Sequence, residues 1–187
     1  PKYRGGSPIV APILNGDTET GFTYMLLDAE MDHGPILYQE TVAIMPDDTA
    51  GTLEARLFQK GTEKLEYVLA EYLAGALKPI EQDHSKAMVT KLIKKDDALI
   101  DFTQESAEVI ERKIRAYNPA PYVFFFHKGK RIQILEAKIH PPFHPPLAKG
   151  GPGGGYTKSL DGVVVSCAND TFLLLKIIKP EGKPARE

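Results

Sequence analysis

The chain has 187 residues, 42% of them apolar, and a formal net charge of −2 at pH 7. That length allows one large or two small globular domains with a real core. No apolar run approaches the roughly 20 residues of a membrane span, and the opening PKYRGGSP lacks the hydrophobic core of a signal peptide, so we expect a soluble, cytoplasmic protein without membrane contact. The single Cys167 excludes an internal disulfide and, within the apolar run VVVSC, is predicted to be buried.

Charge is unevenly distributed along the chain. Residues 1–83 hold 6 Lys and Arg against 14 Asp and Glu, whereas residues 84–187 hold 17 against 11. A split of this kind indicates two units with different partners, the basic one facing a polyanion such as nucleic acid, although chance charge on solvated faces explains it equally well.

The first half predicts an α/β unit. After an opening loop, Ser7 and Pro8 start a short helix that ends near Asn15-Gly16. The apolar runs Phe22–Leu27 and Pro35–Met45 predict strands buried on both faces rather than a half-exposed hairpin. From Thr49 onward, apolar residues recur at helical spacing up to Gly75, which predicts a helix of about 25 residues.

A short acidic segment separates the two predicted strands. Asp28, Glu30 and Asp32 occupy alternate positions and are followed by His33 and Gly34. Acidic residues at a strand end are candidates for chemistry, but an ordinary connection has the same composition.

The second half predicts a separate unit. We place the first domain at residues 1–77, a linker at 78–91, where Pro79 and mixed charges interrupt any period, and a second domain at 92–187. Thr103 or Ser106 caps a helix that ends at Asn118-Pro119. The strands that follow are predicted at Tyr122–His127, Arg131–Ile139, Val163–Cys167 and Phe172–Ile178, with a Pro- and Gly-rich loop from His140 to Tyr156. Short strands with Gly and Asn turns indicate a small antiparallel β-barrel.

No metal site is expected. His140 and His144 lie within HPPFHPP, but no second Cys or acidic pair accompanies them, and the prolines restrict a ligand cage.

Two stretches carry a family resemblance. PKYRGGSPIVAPILNGDTETGFTYMLLDAEMDHGPIL and KLIKKDDALIDFTQESAEVIERKIRAYNPAP resemble the methionyl-tRNA formyltransferase family, whose patterns are SLLPxYRGxxPI, xxNGxxxTGxT and MDxGLDTG, then IRAxNPxP after the domain joint. The resemblance covers nearly the whole chain, with both signatures in the correct order. It implies a partial formyltransferase Rossmann-like domain followed by a C-terminal OB-like barrel domain.

The resemblance also implies an enzyme activity. The family transfers a formyl group from 10-formyltetrahydrofolate to the amino group of methionyl initiator tRNA, for translation initiation. Asp32 falls on the family's catalytic Asp, which acts with an Asn and a His of an Asn-x-His motif. That motif should lie before Pro1, so we expect this chain alone to be inactive. His33 occupies the Thr position of LDTG, and its neighbouring place in the sequence points it away from Asp32, so we expect no replacement role.

Two binding regions follow from the same resemblance. Folate is expected against Pro1, Asp28, Ala29, Glu30 and Met31. The tRNA is expected against a set of cations, namely Lys2, Arg4, Lys91, Lys94, Arg112, Arg115, Lys128, Lys130 and Arg131. We expect the full-length enzyme to be monomeric and this chain alone to self-associate through apolar surface that the rest of the catalytic domain would cover.

Three alternatives remain open. Sugar-nucleotide formyltransferases and the hydrolase domain of 10-formyltetrahydrofolate dehydrogenase share the acidic loop, and they predict a different polyanion or none. A third hypothesis is a non-catalytic RNA-binding module that carries a vestigial folate pocket.

Overall fold

A computed structural model describes residues 1–142, 148–149, 155–182 and 185. The chain forms two compact units, Pro1–Ile93 and Lys94–Glu187. Each unit has its own core of fully buried aliphatic side chains, which includes Ile13, Leu53 and Val68 in the first and Ile110, Ile134 and Leu173 in the second. The domain limits 1–77, 78–91 and 92–187 stay a prediction.

The first unit contains two small sheets and two helices. Its elements are β1 (Tyr3–Gly5), α1 (Val10–Asn15), β2 (Glu19–Met25), β3 (Ile36–Ala43), α2 (Ala50–Leu73) and β4 (Met88–Thr90). Strand β4 pairs in parallel with β1, and β3 pairs in antiparallel register with β2. Because β4 and the preceding residues lie within this unit, the segment predicted as a linker contributes to its structure.

The prediction that β2 and β3 are buried on both faces is wrong. They form a two-stranded antiparallel hairpin in which Tyr24 faces Tyr38, and exposed residues alternate with less exposed ones at positions 19–22 and 39–43. Only Val42 of the two strands is fully buried. Apolar content alone did not distinguish a doubly covered strand from a hairpin with one open face.

The prediction of a helix of about 25 residues after Thr49 is confirmed by α2, which has 24 residues. Its N-terminus is capped reciprocally, since Thr49 Oγ1 accepts from the Thr52 amide at 3.2 Å and Thr52 Oγ1 accepts from the Thr49 amide at 2.9 Å. Helix α1 begins at Val10, later than predicted, and Ser7 makes no cap; it ends at Gly16, which has φ of 72°. Pro12 has no backbone N–H to donate. It lies in the first turn of a helix that begins at Val10, where that N–H has no partner within the helix.

The second unit is a helix followed by an antiparallel sheet. Its elements are α3 (Ala107–Ala116), β5 (Val123–His127), β6 (Lys130–His140), β7 (Ala148–Lys149), β8 (Gly155–Ser159), β9 (Gly162–Ser166) and β10 (Phe172–Pro180). Ser106 caps α3, as one of the two predicted residues, and the buried face of the helix includes Ile110 and Ile114. The strand order is β5-β6-β10-β9-β8-β7.

This sheet is consistent with the predicted barrel-like domain. Every described pairing in it is antiparallel. Among the residues that the structure describes, however, no hydrogen bonds join the edge strands β5 and β7, so the sheet is open there. Strand β8 was not predicted, because the short polar sequence YTKS has no strand signal of its own and depends on pairing with β9.

Cys167 is buried, as predicted, with 8% of its surface exposed. Burial raises the pKa of its thiol to about 12, so the group is protonated and unreactive at neutral pH. None of the described helices combines the length and the apolar composition needed to cross a bilayer.

Candidate functional site

Asp32 lies beside a polar pocket of about 690 Å³ in the first unit. Pro1, Tyr3, Asp17 and Thr23 also contribute to the pocket lining. The predicted catalytic carboxylate and Pro1 therefore line the same pocket.

The backbone of Asp32 is held in an unusual conformation. Its φ is 55°, in the left-handed region that residues with a Cβ seldom adopt. Its Oδ2 accepts a hydrogen bond from the Gly5 amide of β1 at 2.7 Å. Its Oδ1 accepts no hydrogen bond from the part of the chain that the structure describes, so one carboxylate oxygen is anchored and the other is available to a donor from outside.

The acidic loop, residues 28–34, also contains a histidine contact. His33 Nδ1 donates to Asp28 Oδ2 at 2.6 Å, because an ionised carboxylate can only accept. This hydrogen bond lowers the pKa of Asp28, and the Glu30 amide, which donates to Asp28 Oδ1 at 2.9 Å, acts in the same direction. His33 thus pairs with Asp28 and not with Asp32.

The His33 ring stacks on the ring of His84, with centroids 3.8 Å apart and planes 4° from parallel. His84, in turn, accepts at Nδ1 from Arg4 Nη1 at 3.1 Å. The guanidinium has no acceptor, so this nitrogen of His84 is unprotonated in the contact. The stack links the acidic loop to a segment more than fifty residues later in the chain.

Gln82 joins the acidic loop to β1. Its Oε1 accepts from Arg4 Nη2 at 2.8 Å. Its Nε2 donates to the carbonyl oxygens of Gly34 at 2.6 Å and Asp32 at 3.1 Å. Gln82 is 8% exposed and Arg4 is 7% exposed, so this polar network is enclosed by protein.

The structure places the predicted folate residues in two positions. Pro1 lines the pocket together with Asp32. Asp28, Ala29, Glu30 and Met31 form the exposed part of the acidic loop, where Met31 has 74% of its surface exposed. Their backbone groups are therefore accessible to a ligand.

Three of the predicted RNA-binding cations already have partners within the protein. Lys2 Nζ lies 2.8 Å from Asp17 Oδ2 and keeps about half of its side chain exposed. Arg4 is buried in the network with Gln82. Arg115 forms an ion pair with Glu111 at 2.7 Å, and both side chains are less than one-fifth exposed. In these conformations the Arg4 and Arg115 guanidinium groups do not face solvent freely.

The remaining predicted cations are more accessible. Lys91, Lys94, Lys128 and Lys130 are exposed. Lys128 and Lys130 flank the turn between β5 and β6.

Arg112 and Arg131, the last two cations of the predicted tRNA-binding set, are half-buried. Arg131 stacks its guanidinium 4.0 Å from the centroid of the Phe124 ring, and Arg112 Nε donates to the Glu108 carbonyl at 3.3 Å. The turn between β5 and β6 thus carries two exposed cations of the predicted set, Lys128 and Lys130.

Within the described ranges, no cluster of three or more His, Cys, Asp or Glu side chains is arranged to hold a metal ion. His144, considered as a metal ligand from its sequence, lies outside the described residues.

Sequence reasoning missed Gln82 altogether. It lies in the stretch predicted as a linker, and a single Gln between charged residues carries no local signal. Only the folded chain shows that its amide lies against the backbone of the acidic loop.

Comparison with family models identifies two matches. The model described as "Formyl transferase" matches residues 1–69, and the model described as "Formyl transferase, C-terminal domain" matches residues 92–186. A methionyl-tRNA formyltransferase of Roseiflexus sp. (strain RS-1) is 41% identical over 183 residues, which are 98% of this chain and 54% of the relative. The chain thus spans about half the length of the curated relatives that it matches.

Solved structures show a similar fold. HypX from Aquifex aeolicus in complex with tetrahydrofolic acid has a TM-score of 0.71 at 19% identity, covering 99% of this chain and 31% of that one. An N-formyltransferase from Helicobacter canadensis, in complex with folinic acid and dTDP-3-aminofucose, has a TM-score of 0.70 at 16% identity, covering 93% and 61%.

Proposed function

The chain belongs to the formyl transferase family, with a Rossmann-like formyl transferase fold followed by the family's C-terminal domain. On that premise we propose that it is the part of a methionyl-tRNA formyltransferase that contributes Asp32 to catalysis. The full-length enzyme would transfer a formyl group from 10-formyltetrahydrofolate to the amino group of methionyl initiator tRNA. The sequence relatives named methionyl-tRNA formyltransferase support this substrate.

The position of Asp32 is the observation that carries the proposal. Its Oδ2 is anchored by the Gly5 amide, and the carboxylate borders a pocket shared with Pro1. Attack of the substrate amine on the formyl carbon forms a C–N bond and a tetrahedral oxyanion. The amine then loses one proton, the bond from the formyl carbon to the folate nitrogen breaks, and that nitrogen gains a proton. A protonated imidazole stabilises that oxyanion, and a neighbouring carboxylate holds the imidazole in its charged form. Asp32 would perform this second task for the histidine of the family's Asn-x-His motif.

The formyl donor would lie against the acidic loop. Asp28, Ala29, Glu30 and Met31 are exposed and carry backbone donors and acceptors, of which the Glu30 amide is engaged with Asp28, and Pro1 borders the pocket that Asp32 lines. Such groups fit the polar edge of a pterin ring, and crevices at strand ends are where open α/β sheets bind ligands.

We place the tRNA contact on the second unit, which we propose is an OB-like barrel. Lys128 and Lys130 project from the turn between β5 and β6, and Phe126 on β5 is 58% exposed. Exposed cations beside an exposed aromatic ring are typical of single-stranded nucleic-acid contacts. Lys94, Arg112 and Arg131 of the same unit would add positive charge, whereas Arg115 is engaged with Glu111.

The test is formyl transfer by the full-length polypeptide that contains this chain. Replacement of Asp32 by Asn removes the charge that sustains the imidazolium, and kcat should fall by about 10²- to 10⁴-fold. The matched control is Asp47→Asn, an exposed carboxylate before α2, which should leave kcat unchanged. Retention of kcat by Asp32→Asn would refute the catalytic role.

The same assay distinguishes between the two candidate classes of formyl acceptor. Methionyl initiator tRNA should be formylated and a dTDP-linked amino sugar should not. The opposite preference would favour a sugar-nucleotide enzyme, a class represented among the structures of similar fold.

A further inference from the structure

We infer that Gln82 and Arg4 are positioning residues that hold Asp32 in its left-handed backbone conformation, with the carboxylate against the Gly5 amide. The inference rests on the proposed function for its catalytic consequence. Its structural part depends only on the contacts of the first unit.

The first step is the attachment of the acidic loop to Gln82. One amide nitrogen donates to two loop carbonyls, Gly34 O at 2.6 Å and Asp32 O at 3.1 Å. The Asp32 carbonyl belongs to the peptide group that follows Asp32, and the Gly34 carbonyl lies two residues further on, so both bonds restrain the loop immediately after Asp32. With a φ of 55°, Asp32 has a strained backbone conformation, and such a conformation persists only where the surrounding structure holds it. The two hydrogen bonds from Gln82 supply that restraint.

The second step is the attachment of Gln82 to β1. Its Oε1 accepts from Arg4 Nη2 at 2.8 Å, and Arg4 immediately precedes Gly5, whose amide donates to Asp32. The donor and the acceptor of the Gly5–Asp32 hydrogen bond are therefore both tied to one buried amide. Without this link, the loop is held against β1 by fewer contacts, chiefly the Gly5–Asp32 hydrogen bond itself and the His33–His84 stack beside Arg4.

Strand β1 is itself anchored from the other side. Thr90 Oγ1 in β4 donates to the Arg4 carbonyl at 2.8 Å, and the Gly6 amide donates to the Thr90 carbonyl at 3.2 Å. These bonds fix β1 independently of Gln82. A change at Gln82 should therefore move the acidic loop and leave the β1–β4 pair in place.

The three hydrogen bonds at position 82 require a particular type of side chain. It needs two donor hydrogens for two carbonyls and an acceptor for a guanidinium on the same planar group, and among uncharged side chains a carboxamide provides all three, whereas a neutral imidazole has a single N–H. Gln82→Met keeps the volume and loses both functions. A buried carbonyl left without a donor is costly, so the loop should move to regain solvent or another donor.

The first experiment measures amide hydrogen exchange by NMR in the full-length polypeptide, which is expected to be monomeric. In Gln82→Met the Gly5 amide should exchange at least about tenfold faster than in the unsubstituted chain, because its acceptor has moved. The Gly6 amide should keep its rate, since its bond to Thr90 does not depend on Gln82. The matched control is Gln59→Met on the exposed face of α2, where the amide contacts only Glu63, and both rates should stay unchanged.

The second experiment measures kcat in the full-length polypeptide. Gln82→Met should lower kcat by about 10- to 100-fold, the usual effect of a displaced catalytic group. In an Asp32→Asn background the same substitution should change kcat less than about twofold, because two residues that act through one group are not additive. Arg4→Lys, which keeps the charge and loses the forked geometry, should behave in the same way.

The outcomes separate the two proposals. An unchanged Gly5 exchange rate in Gln82→Met, or equal acceleration of Gly5 and Gly6, would overturn the positioning role. Equal losses of kcat with and without Asp32 would overturn it too, because that is the behaviour of a general structural defect. If the unsubstituted full-length polypeptide transfers no formyl group, the proposed function fails, and the exchange experiment still decides whether Gln82 holds Asp32.

Discussion

Gly34 lies where the acidic loop returns against the end of β2. A Cβ at this position would lie 1.9 Å from the carbonyl oxygen of Leu26, so only glycine permits the close approach. The carbonyl of Gly34 also accepts from Gln82. Gly34 therefore has two roles: its lack of a Cβ permits the close approach to Leu26, and its carbonyl accepts the hydrogen bond from the Gln82 side chain.

Gly34→Ala should destabilise the first unit by roughly 2–3 kcal/mol, because the loop backbone must shift to relieve the overlap. Urea unfolding followed by circular dichroism measures the change. Gly61→Ala is the matched control, since its Cβ would have its nearest neighbours at 3.8 Å in the middle of α2. The control should stabilise by up to about 1 kcal/mol through helix propensity. Equal effects of the two substitutions would contradict the steric explanation.

Helix α2 is joined to the end of β3 by the buried carboxylate of Asp48, which is 4% exposed. Asp48 accepts from the Met45 amide at 2.7 Å and from Thr52 Oγ1 at 3.1 Å, and it forms an ion pair with Arg56. Arg56 also donates to the Ala43 carbonyl at 2.9 Å. The start of the helix and the end of the strand thus share one hydrogen-bond network.

Asp48→Ala should cost about 2 kcal/mol, because it removes these bonds and leaves Arg56 without its main partner. Burial acts to raise the pKa of Asp48, but the hydrogen bonds from Arg56, Met45 and Thr52 outweigh it, and the pKa is lowered. The stabilisation is therefore complete above the ordinary carboxylate pKa of about 3.9 and disappears as the pH falls through the lower folded-state pKa.

Thermal unfolding of both forms between neutral and acid pH measures this difference in stability. The exposed neighbour provides the control, since Asp47→Ala should change stability by less than about 0.5 kcal/mol. A difference between Asp48→Ala and the unsubstituted chain that stays constant down to strongly acid pH would exclude the ionised carboxylate as its source.

At the scale of the whole molecule, α2 carries an apolar stripe on its solvent side. Phe58, Leu65, Leu69 and Leu73 are 67%, 43%, 48% and 83% exposed and recur at spacings of seven and four, which places them on one helix face. Phe58 and Leu65 also line a shallow apolar groove beside β2. Contiguous apolar surface of this kind in water favours association.

We therefore predict that this chain self-associates at concentrations of about 10–100 µM. Sedimentation velocity over a concentration series measures it. The double substitution Phe58→Lys and Leu69→Lys should shift the distribution towards monomer, whereas Leu160→Lys, at an isolated exposed turn residue of the second unit, should not. A monomer at every concentration would contradict the prediction.

Local chemistry determined much of this protein before any coordinates. The helical spacing after Thr49 predicted α2, Thr103 and Ser106 were the two candidate caps for α3, of which Ser106 is the cap, and the segment around Asp32 carried the family pattern. Each of these signals involves residues within a few positions of one another, so the chain itself encodes them.

Tertiary structure decided the rest. The antiparallel pairing of β2 with β3, the strand β8, the burial of Arg4 and the position of Gln82 all depend on contacts between distant parts of the chain. Gln82 meets Asp32 across fifty residues. No short pattern encodes such a contact, because its stability comes from desolvated hydrogen bonds that exist only once both segments are folded.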